Sequence, residues 1–535
     1  MDGIQQAIKI ETPTSGFLGM DSASEPTSLN IARSRRLYNS YQGKIRALTQ
    51  RPGSVPVTTT ALGSPIIHLT KYPFTTPDQL LATSGTTLYK LVAAVLTSAT
   101  MTNPLARADI TDADFTGINA GAIVNIKIIG DGGILKQYDG TEVKDVTPAA
   151  DDTLPAPANV LTDINALGCK FVWVHNNYLF VSPGDNQVFY SKRAGQSGSD
   201  SQYNYFPEVH FSILVRNGDV VNGCGIPFDN VCFIPMRNGW NVWAGDNFND
   251  FDSNDYLNTI NGVIASKSVD IITYATGTQT IAFLSDDGVH EIFSSTIDTQ
   301  GRQYATRNLM TDKIDFQAYG FTVAEKEAAI SKYVIQYSMY LLEITRDTTI
   351  YVFGYDTRNA EWYIWTGLTI NAIIENDGIV YYAGNGHLKK FDKDLNDDWT
   401  DLAKTSGVPV DFDRISGMIW FEQTGYPSTL DYYILRLKTY AGIASLDISI
   451  IYLYDLVEVE EAIQNSFLTW DTSEWDASTW ANLGYTDLVN APQRLSHRLR
   501  LPKKGFYFQI RWRNNRSEPV EIYGESLIGR SSGEM

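Results

Sequence analysis

The chain has 535 residues, of which 43% are hydrophobic and 12% aromatic, and its formal net charge is −19. This composition excludes a disordered chain, and the length allows two or three domains or one large repeat domain with appendages. The acidic charge excludes nucleic-acid binding by overall charge, because phosphate contacts need clustered Lys and Arg, but it is compatible with a passage through which nucleic acid slides without sticking.

Cysteine usage and the N-terminal sequence indicate where the chain is made. Three cysteines (Cys169, Cys224 and Cys232) are too few for a disulfide framework and predict reduced thiols and assembly in a cytosol. The opening MDGIQQAIKIETPTSGFLG lacks the basic and apolar regions of a signal peptide. The longest apolar run, LVAAVL (91–96), is far shorter than the roughly 20 residues of a membrane helix. We expect a soluble protein made inside a cell, without a membrane segment.

Residues 1–60 are predicted to form an N-terminal arm or scaffold segment. Their sequence SLNIARSRRLYNSYQGKIRALTQRPGSVPV (28–57) is polar and basic and contains Gly and Pro. It lacks the strand rhythm that follows it, so we do not expect it to form a repeat unit.

Residues 61–404 repeat one pattern: an apolar strand, a tight turn of Gly, Asp or Asn, and a short strand that ends near an aromatic residue. The pattern occurs at 78–91, 123–140, 171–192, 230–246, 280–295, 332–356 and 376–394. The aromatic residues at the strand ends are Tyr89, Tyr138, Tyr190, Trp243, Phe293, Phe353 and Phe391. Their spacing of roughly 50 residues is close to that of four-stranded propeller blades.

We therefore predict an all-β protein whose central part is a β-propeller of about seven blades. One blade cannot bury both of its faces, whereas blades arranged radially bury each face against the next blade and leave only short edges. The alternative is a set of independent β-hairpins in two sandwiches. One segment, VAEKEAAISKYV (323–334), is predicted as a helix.

The sequence carries no enzyme signature. The six histidines lack metal-ligand spacing, and no nucleophile elbow, P-loop or dinucleotide fingerprint is present. SDDGVHEIF (285–293) is similar to the Asp-box of sialidase blades, but its Gly follows Asp287 directly and no Trp closes it. Asp286-Asp287-Gly288 is better interpreted as a hairpin turn. We predict no catalytic residues, no cofactor and no enzyme.

The segment WAGDNFNDFDSNDYLN (243–258) is the densest cluster of oxygen ligands in the chain. Carboxylates and amides at alternate positions can wrap a Ca²⁺ ion, and the possible carboxylate ligands are Asp246, Asp250, Asp252 and Asp255. The segment lacks the Gly and the final Glu of an EF-hand loop, so a solvated loop rich in Asp and Asn is the favoured interpretation.

After about residue 405 the repeat pattern stops, and residues 405–535 are predicted to form a C-terminal β-sandwich or platform. Long segments of alternating apolar and polar residues at 430–455 and 496–529 support this prediction. Between them, LTWDTSEWDASTW (468–480) places Trp470, Trp475 and Trp480 five residues apart, which matches neither helix nor strand. We interpret these tryptophans as interface aromatics that clamp a loop to the platform or to a neighbouring subunit, rather than as a sugar platform or a WD40 mark.

Two basic segments stand out against the acidic chain, and neither contains an acidic residue. The first contains Arg33, Arg35, Arg36, Lys44, Arg46 and Arg51. The second contains Arg494, Arg498, Arg500, Lys503, Lys504, Arg511, Arg513 and Arg516. We interpret both as partner-docking faces that meet acidic surfaces. Ordinary solvated strand faces are the alternative, and direct DNA contact is a third.

Several segments, in this order, resemble the tail nozzle proteins of short-tailed bacteriophages, the tail tubular protein B-like and packaged-DNA stabilisation family. YNSYQGKIRALTQRPGSVPV (38–57) is similar to the N-terminal segment that ends in Arg-Pro-Gly, although Tyr38-Asn39 replaces the usual Asn-Val. Residues 203–246 and TIAFLSDDGVHEIF (280–293) are similar to the central strands, and the WDxxxWDxxxW string is similar to a repeat of the C-terminal domain.

The resemblance implies a structural protein of the virion tail that is assembled in the host cytoplasm. Such proteins form a ring, a homohexamer, below the portal and the tail adaptor or head-completion protein. The ring closes the tail, meets tail fibres or tail-tip proteins, and conducts DNA without sequence-specific binding during ejection. The alternatives are a receptor-binding propeller at the tail tip and, less favoured, a propeller glycan hydrolase.

Overall fold

The structure is a computed structural model that describes residues 8–13, 16–43, 47–119, 122–150, 158–193, 202–214, 219–228, 231–244, 253–257, 261–298, 301–421, 428–439, 447–454, 457–463, 493–515 and 520–531. These residues form many β-sheets and little helix, which confirms the all-β prediction. The α-helices are α1 (Leu161–Leu167) and α2 (Val323–Glu327). No helix in these ranges is long and apolar enough to cross a membrane.

The N-terminal part contributes five short strands to three different sheets. They are β1 (Ile8–Glu11), β2 (Ser34–Tyr38), β3 (Ser40–Gln42), β4 (Leu48–Gln50) and β5 (Gly53–Pro56).

Seven small sheets, numbered here in chain order, then follow along the described chain. Sheet 1 contains β6 (Ile66–Tyr72), β7 (Gln79–Ser84), β8 (Thr87–Val92) and β9 (Val95–Ser98). Sheet 2 contains β10 (Thr100–Met101), β11 (Thr111–Asn119), β12 (Ala122–Gly130), β13 (Lys136–Tyr138) and β14 (Glu142–Asp145). Sheet 3 contains β15 (Phe171–His175), β16 (Tyr178–Ser182), β17 (Gln187–Tyr190) and β18 (Phe211–Ile213).

The remaining four sheets follow the same plan. Sheet 4 contains β19 (Ile226–Phe228), β20 (Val231–Pro235), β21 (Trp240–Ala244) and β22 (Ser253–Leu257). Sheet 5 contains β23 (Asp270–Thr273), β24 (Gln279–Ser285), β25 (Gly288–Asp298) and β26 (Gly301–Asn308). Sheet 6 contains β27 (Ile330–Val334), β28 (Met339–Arg346), β29 (Thr349–Asp356) and β30 (Glu361–Trp365). Sheet 7 contains β31 (Ala372–Asn376), β32 (Ile379–Gly384), β33 (His387–Asp392), the N-terminal β5, β34 (Asp397–Trp399) and β35 (Gly407–Pro409).

The tight turns follow from local sequence. Asn176-Asn177 joins β15 to β16, Asp377-Gly378 joins β31 to β32, and Asn385-Gly386 joins β32 to β33, with positive φ at both residues of each pair. Positive φ at both central positions is the type I′ geometry that suits two-residue hairpins, and Asn, Asp and Gly tolerate it best.

The aromatic residues that mark the predicted repeats occupy equivalent places. Each lies on the third strand of its sheet, counted along the order of hydrogen-bonded strands from β6, β11, β15, β19, β23, β27 or β31. These third strands are β8, β13, β17, β21, β25, β29 and β33. Five of the seven, Tyr138, Tyr190, Trp243, Phe353 and Phe391, are buried. The repeat read from the sequence is therefore a repeat of structure.

Each sheet packs on the next through apolar side chains. Tyr72 of sheet 1 meets Tyr138 of sheet 2 with ring centroids 5.3 Å apart, and Trp240 of sheet 4 meets Phe283 of sheet 5 at 5.0 Å. The first and last sheets also pack together, through a cluster that contains Ile66, Leu69, Leu80 and Ala82 of sheet 1 and Ala372, Ala383 and Leu388 of sheet 7. Sheets 1 and 7 are therefore neighbours in space.

The C-terminal part adds two larger sheets, which we call the platform sheets. Their strands are β36 (Phe412–Ser416), β37 (Ser428–Thr439), β38 (Asp447–Tyr454), β39 (Val457–Ile463), β40 (Gln493–Gly505), β41 (Phe508–Asn514) and β42 (Val520–Ser531). One platform sheet has the order β3-β4-β42-β37-β40, with β1 on β42. The other continues sheet 6 through β2 in the order β30-β2-β36-β41-β38-β39.

Three predictions of organisation are corrected by these pairings. Residues 1–60 are not a separate arm, because β2 is inserted between sheet 6 and the platform and β5 lies inside sheet 7. The predicted boundary at 404/405 separates β34 from β35, which pair with each other, and the platform begins at β36. The predicted helix 323–334 ends at Glu327, and its second half is the edge strand β27.

Candidate functional site

The Arg-Pro-Gly segment and Asn39 lie at the junction of sheets 6 and 7 and the platform. Asn39 is buried and adopts φ 55°. Its Nδ2 donates hydrogen bonds to Thr366 Oγ1 (3.0 Å) and to the carbonyl of Asp411 (2.7 Å), and its Oδ1 accepts from Arg51 Nε (3.0 Å). One side chain therefore links the N-terminal segment to the end of sheet 6 and the entry to the platform.

Arg51 is the centre of this junction. Its side chain is 1% exposed, and its Nη2 lies 2.5 Å from Asp398 Oδ2. Nη1 donates to Asp398 Oδ1 (3.2 Å) and to the carbonyl of Pro52 (3.1 Å). The assignment of Arg51 to a docking face is therefore wrong, because its charge is neutralised inside the protein.

Gly53 allows β5 to enter sheet 7. A Cβ at this position would lie 2.3 Å from the carbonyl oxygen of Asp397, a contact that no side chain can make. β5 pairs antiparallel with β33, and Ser54 pairs with Asp398 of β34. The only local signal for this close approach is the glycine after Pro52.

The other described arginines of the first basic segment differ in exposure. Arg33 Nη2 lies 3.2 Å from Glu361 Oε1 of β30, and Arg36 Nη2 lies 3.0 Å from Asp413 Oδ2 of β36. Arg35 is exposed and forms no ion pair with the residues that the structure describes. Arg46, like Lys44, falls outside the described residues.

Two side chains of the second basic segment are neutralised by acidic residues of the platform sheets. Arg511 pairs with Asp413 (Nε to Oδ1, 3.1 Å) and with Glu460 (Nη1 to Oε1, 3.1 Å), and Lys503 pairs with Glu461 (2.5 Å). The acidic partners come from β36 and β39, which are distant in sequence from the basic strands. A segment that contains no acidic residue can therefore still be paired with acidic residues of neighbouring strands.

Two basic side chains of the second segment remain unpaired within the described ranges. Lys504 and Arg513 are both exposed and make no ion pair there. Arg494, Arg498 and Arg500 lie on β40, but their side chains are outside what the structure describes, and Arg516 is outside the described residues altogether. Within the two basic segments, the exposed cations that form no ion pair with described residues are thus Arg35, Lys504 and Arg513.

A fully buried charge pair, which the sequence analysis missed, lies between the platform sheets. Arg414 Nη1 lies 2.8 Å from Glu525 Oε1, and both side chains are 0% exposed. The guanidinium is 4.2 Å from the Trp512 ring centroid and 4.9 Å from that of Phe17, and Tyr433 donates its hydroxyl proton to Glu525 Oε2 at 3.0 Å. The buried pair could have been predicted from Glu525, which is a charged residue inside the otherwise largely apolar strand IYGESLIG (522–529).

Two groups of predicted site residues lie wholly or mostly outside the described residues. Trp470, Trp475 and Trp480 lie outside the described residues, as do Asp246, Asp250 and Asp252. Asp255 lies on β22, where it pairs with Val242, so this end of the predicted calcium loop is strand. In the described ranges no group of three or more His, Cys, Asp or Glu side chains is placed to hold a metal ion.

The Asp286-Asp287-Gly288 segment is the predicted hairpin turn. Ser285 pairs with Gly288 at the β24–β25 connection, and Gly288 adopts φ 135°. Asp287 Oδ1 lies 2.7 Å from His290 Nε2. This carboxylate is thus engaged with the neighbouring strand.

All three cysteines are free thiols, as the sequence predicts. Burial raises the pKa of each thiol to about 12, so none is a thiolate at neutral pH.

No family model and no curated protein matches the chain. Two structures of the extracellular domain of BT4673 from B. thetaiotaomicron are similar at 9% and 10% identity, with TM-scores of 0.40. They cover 81% and 75% of this chain, which spans just over half of those domains (59% and 55%). The β-propeller domain of Cps50 (Swd1) from Myceliophteria thermophila is similar at 7% identity, with a TM-score of 0.38, and covers 63% of this chain and 99% of its own length. None of these similarities indicates what the chain does.

Proposed function

We propose that the chain is a structural virion protein, a tail nozzle or hub of a short-tailed bacteriophage. In this proposal it forms a homohexameric ring below the portal and the tail adaptor, closes the tail, and conducts DNA during genome ejection. It is made in the host cytoplasm and resides in the virion tail.

The observation that carries this proposal is the position of the residues that bear the family resemblance. Arg51 and Gly53 belong to the Arg-Pro-Gly motif that resembles the nozzle proteins, and with Asn39, where this segment departs from the family pattern, they fasten sheet 6, sheet 7 and the platform together. The resembling segment therefore serves architecture, as expected if the family shares a scaffold rather than a reaction. The acidic net charge of −19 is also compatible with a lumen that does not hold phosphate groups.

We further propose that sheets 1–7 are the blades of a seven-bladed propeller, on a β-sandwich formed by the two platform sheets. The packing of sheet 7 on sheet 1 and the insertion of β5 into sheet 7 support ring closure. The side chain of Lys267, just before β23 of sheet 5, reaches Ile67 of sheet 1 and Asp109 just before β11 of sheet 2. In a ring of seven blades, blades 1 and 2 lie opposite blade 5, so these two contacts of Lys267 are the ones expected across the middle of such a ring.

The partners in this proposal are other copies of the chain, the tail adaptor, and tail fibres or tail-tip proteins. In the two basic segments, Arg35, Lys504 and Arg513 are the described cations available to an acidic partner surface, because they are exposed and form no ion pair with described residues. DNA would pass without sequence-specific contacts.

Immunogold labelling of purified phage particles that encode the chain tests the proposal. Antibodies against the chain should label the end of the tail below the portal in every particle. Labelling only at the tips of fibres would favour a receptor-binding role instead. Absence of the chain from particles, as judged by mass spectrometry, would overturn the proposal.

A further inference from the structure

A buried lysine lies between two carboxylates on strands β11 and β12 of sheet 2, and we call this group with its neighbours the Lys127 cluster. The Lys127 side chain on β12 is 2% exposed, and its Nζ lies 2.6 Å from Asp112 Oδ2 and 2.7 Å from Asp114 Oδ1, both on β11. His68 and Thr70 of β6 complete the cluster. His68 Nε2 lies 2.7 Å from Asp112 Oδ1, and the Thr70 hydroxyl donates to Asp112 Oδ2 at 2.7 Å. Three strands from two sheets thus meet around one amino group.

The sheet itself holds Lys127 against Asp114. The two residues lie directly opposite each other in the antiparallel β11–β12 pair, and Asp112 precedes Asp114 by two positions, so all three side chains are on one face. A carboxylate oxygen 2.7 Å from the nitrogen brings the carboxyl carbon close to the roughly 3–3.5 Å at which nucleophilic attack begins. Little movement is therefore needed for the nitrogen to reach this carbon.

The two carboxylates have different surroundings, which suit different roles. Asp112 is oriented from sheet 1 by His68 and Thr70. Burial opposes its charge, but Lys127 and His68 outweigh burial and hold the pKa of the Asp112 carboxyl well below its ordinary value. Burial raises the pKa of Asp114, which favours the protonated form that a nucleophile attacks. A nucleophile beside a base that a third group orients is the arrangement of nucleophilic catalysis.

The cluster holds an excess of negative charge. Burial alone would lower the pKa of Lys127, but the carboxylates of Asp112 and Asp114 outweigh it and raise that pKa, so the lysine is an ammonium at neutral pH. With His68 neutral, one ammonium faces two carboxylates in a largely buried place, where an unpaired charge is costly. An amide between Lys127 and Asp114 removes the ammonium and one carboxylate together, and its N–H stays beside Asp112 as a donor.

We propose that the folded chain forms an isopeptide bond between Lys127 Nζ and Asp114 Cγ, with Asp112 as the acid–base group. The amine attacks the carboxyl carbon, and Asp112 passes the two protons that the nitrogen loses, one before and one after the attack, to the departing oxygen of Asp114. One carbon–nitrogen bond forms, one carbon–oxygen bond breaks, and one water molecule leaves. Because the ammonium must first give up a proton, the reaction is a slow maturation step. The inference does not depend on the role in a phage tail.

The bond would lie at the base of a projecting hairpin. β12 pairs with β13 through Lys127, Ile128 and Ile129, whereas β11 and β12 continue to pair as far as Asn119 and Ala122. The bond would therefore join the two strands covalently at the point where pairing with β13 stops.

Intact-mass spectrometry of the purified full chain under denaturing conditions tests this inference. The wild type should weigh one water molecule less than its sequence. Trypsin should no longer cleave after Lys127, so a single peptide from Ala108 to Lys136 should appear, also lighter by one water. A wild type that keeps its full mass after prolonged incubation of the folded chain would overturn the proposal.

Three variants assign the roles of the cluster. Lys127→Arg keeps a positive charge between the carboxylates but offers no nucleophilic amine, and Asp114→Ala removes the carbon that is attacked, so both should retain the full mass. Asp114→Ala changes a partly exposed side chain and serves if Lys127→Arg does not fold. Asp112→Ala should leave most of the chain without the bond, and an unchanged yield of the bond in this variant would contradict the role of Asp112.

Lys136 and Asp145 form the matched control in the same sheet. They also lie directly opposite each other, with Nζ 2.5 Å from Oδ1, but Lys136 makes no ion pair with a second carboxylate in the described part of the chain. Trypsin should therefore cleave after Lys136. Loss of water with cleavage after Lys127 intact, as succinimide formation at Asp131-Gly132 would produce, would refute the isopeptide bond.

Discussion

The guanidinium of Arg51 and the carboxylate of Asp398 form an ion pair 2.5 Å apart, although 347 residues separate them in sequence. Arg51 directly precedes the Pro-Gly that leads into β5, and Asp398 lies on β34 of sheet 7. The pair therefore fastens the beginning of the chain to the last small sheet. In the proposed propeller, this pair would help to hold the first part of the chain in the last blade.

Arg51→Met should destabilise the folded chain by about 3 kcal/mol, because it leaves the Asp398 carboxylate without its partner in a mostly buried place. Denaturant unfolding followed by tryptophan fluorescence measures the effect. Arg513→Met, at an exposed site, is the control and should change the free energy of unfolding by less than about 0.5 kcal/mol. Equal stabilities of the two variants would refute the structural role of Arg51.

Arg414 and Glu525 should behave as one unit. Arg414→Met and Glu525→Gln should each cost about 3–5 kcal/mol, because each leaves an uncompensated group in the platform core. The double variant should lose several kcal/mol less than the sum of the single losses. A double-mutant cycle from denaturant unfolding provides the measurement, and strictly additive losses would contradict the buried pair.

Glu343 should make stability depend on pH. It lies on β28, where its carboxyl accepts a hydrogen bond from Thr345 Oγ1 (2.6 Å), and burial raises the pKa of this carboxyl to about 7. A raised folded-state pKa means that the protonated form is favoured in the fold. Its contribution to stability is complete below the ordinary value near 4.5 and is lost as the pH rises through 7.

Unfolding of wild type and Glu343→Gln at pH 5 and pH 8 isolates this effect. The wild type should lose about 2.5 kcal/mol relative to the variant between these two pH values, in the direction of lower stability at pH 8. A constant difference between the two proteins across this range would show that Glu343 does not titrate there.

Charge-reversal variants of the platform can distinguish a role of its cations in partner docking from a role in folding. Lys504→Glu with Arg513→Glu should leave the free energy of unfolding nearly unchanged, since both side chains are exposed and unpaired in the described chain, but should reduce incorporation into particles. Lys503→Glu with Arg511→Glu should destabilise the chain itself, because these residues pair with Glu461, Glu460 and Asp413. Normal particle incorporation of the first variant would exclude the docking role.

Local sequence was enough to predict the hairpins of the small sheets. Turns such as Asp377-Gly378 need particular residues at positive φ, and the strands beside them need apolar residues on their buried faces. The aromatic residue on the third strand of each sheet could be found for the same reason, because it repeats with the supersecondary unit.

Pairings between distant segments could not be predicted in this way. β5 is four residues long and completes a sheet whose other strands lie more than 300 residues later, so no local pattern marks it. The partner of Arg511 depends on which acidic strand becomes its neighbour, and this is set by the fold and its register. The docking prediction for Arg51 was wrong for the same reason, because its partner Asp398 lies 347 residues later in the sequence.

Mass photometry of the purified chain over a range of concentrations, combined with negative-stain imaging and repeated with its tail adaptor, tests the central claim most directly. The account predicts closed rings with six times the mass of the 59.6 kDa chain, alone or upon addition of the adaptor. A chain that remains a monomer under all of these conditions would contradict it.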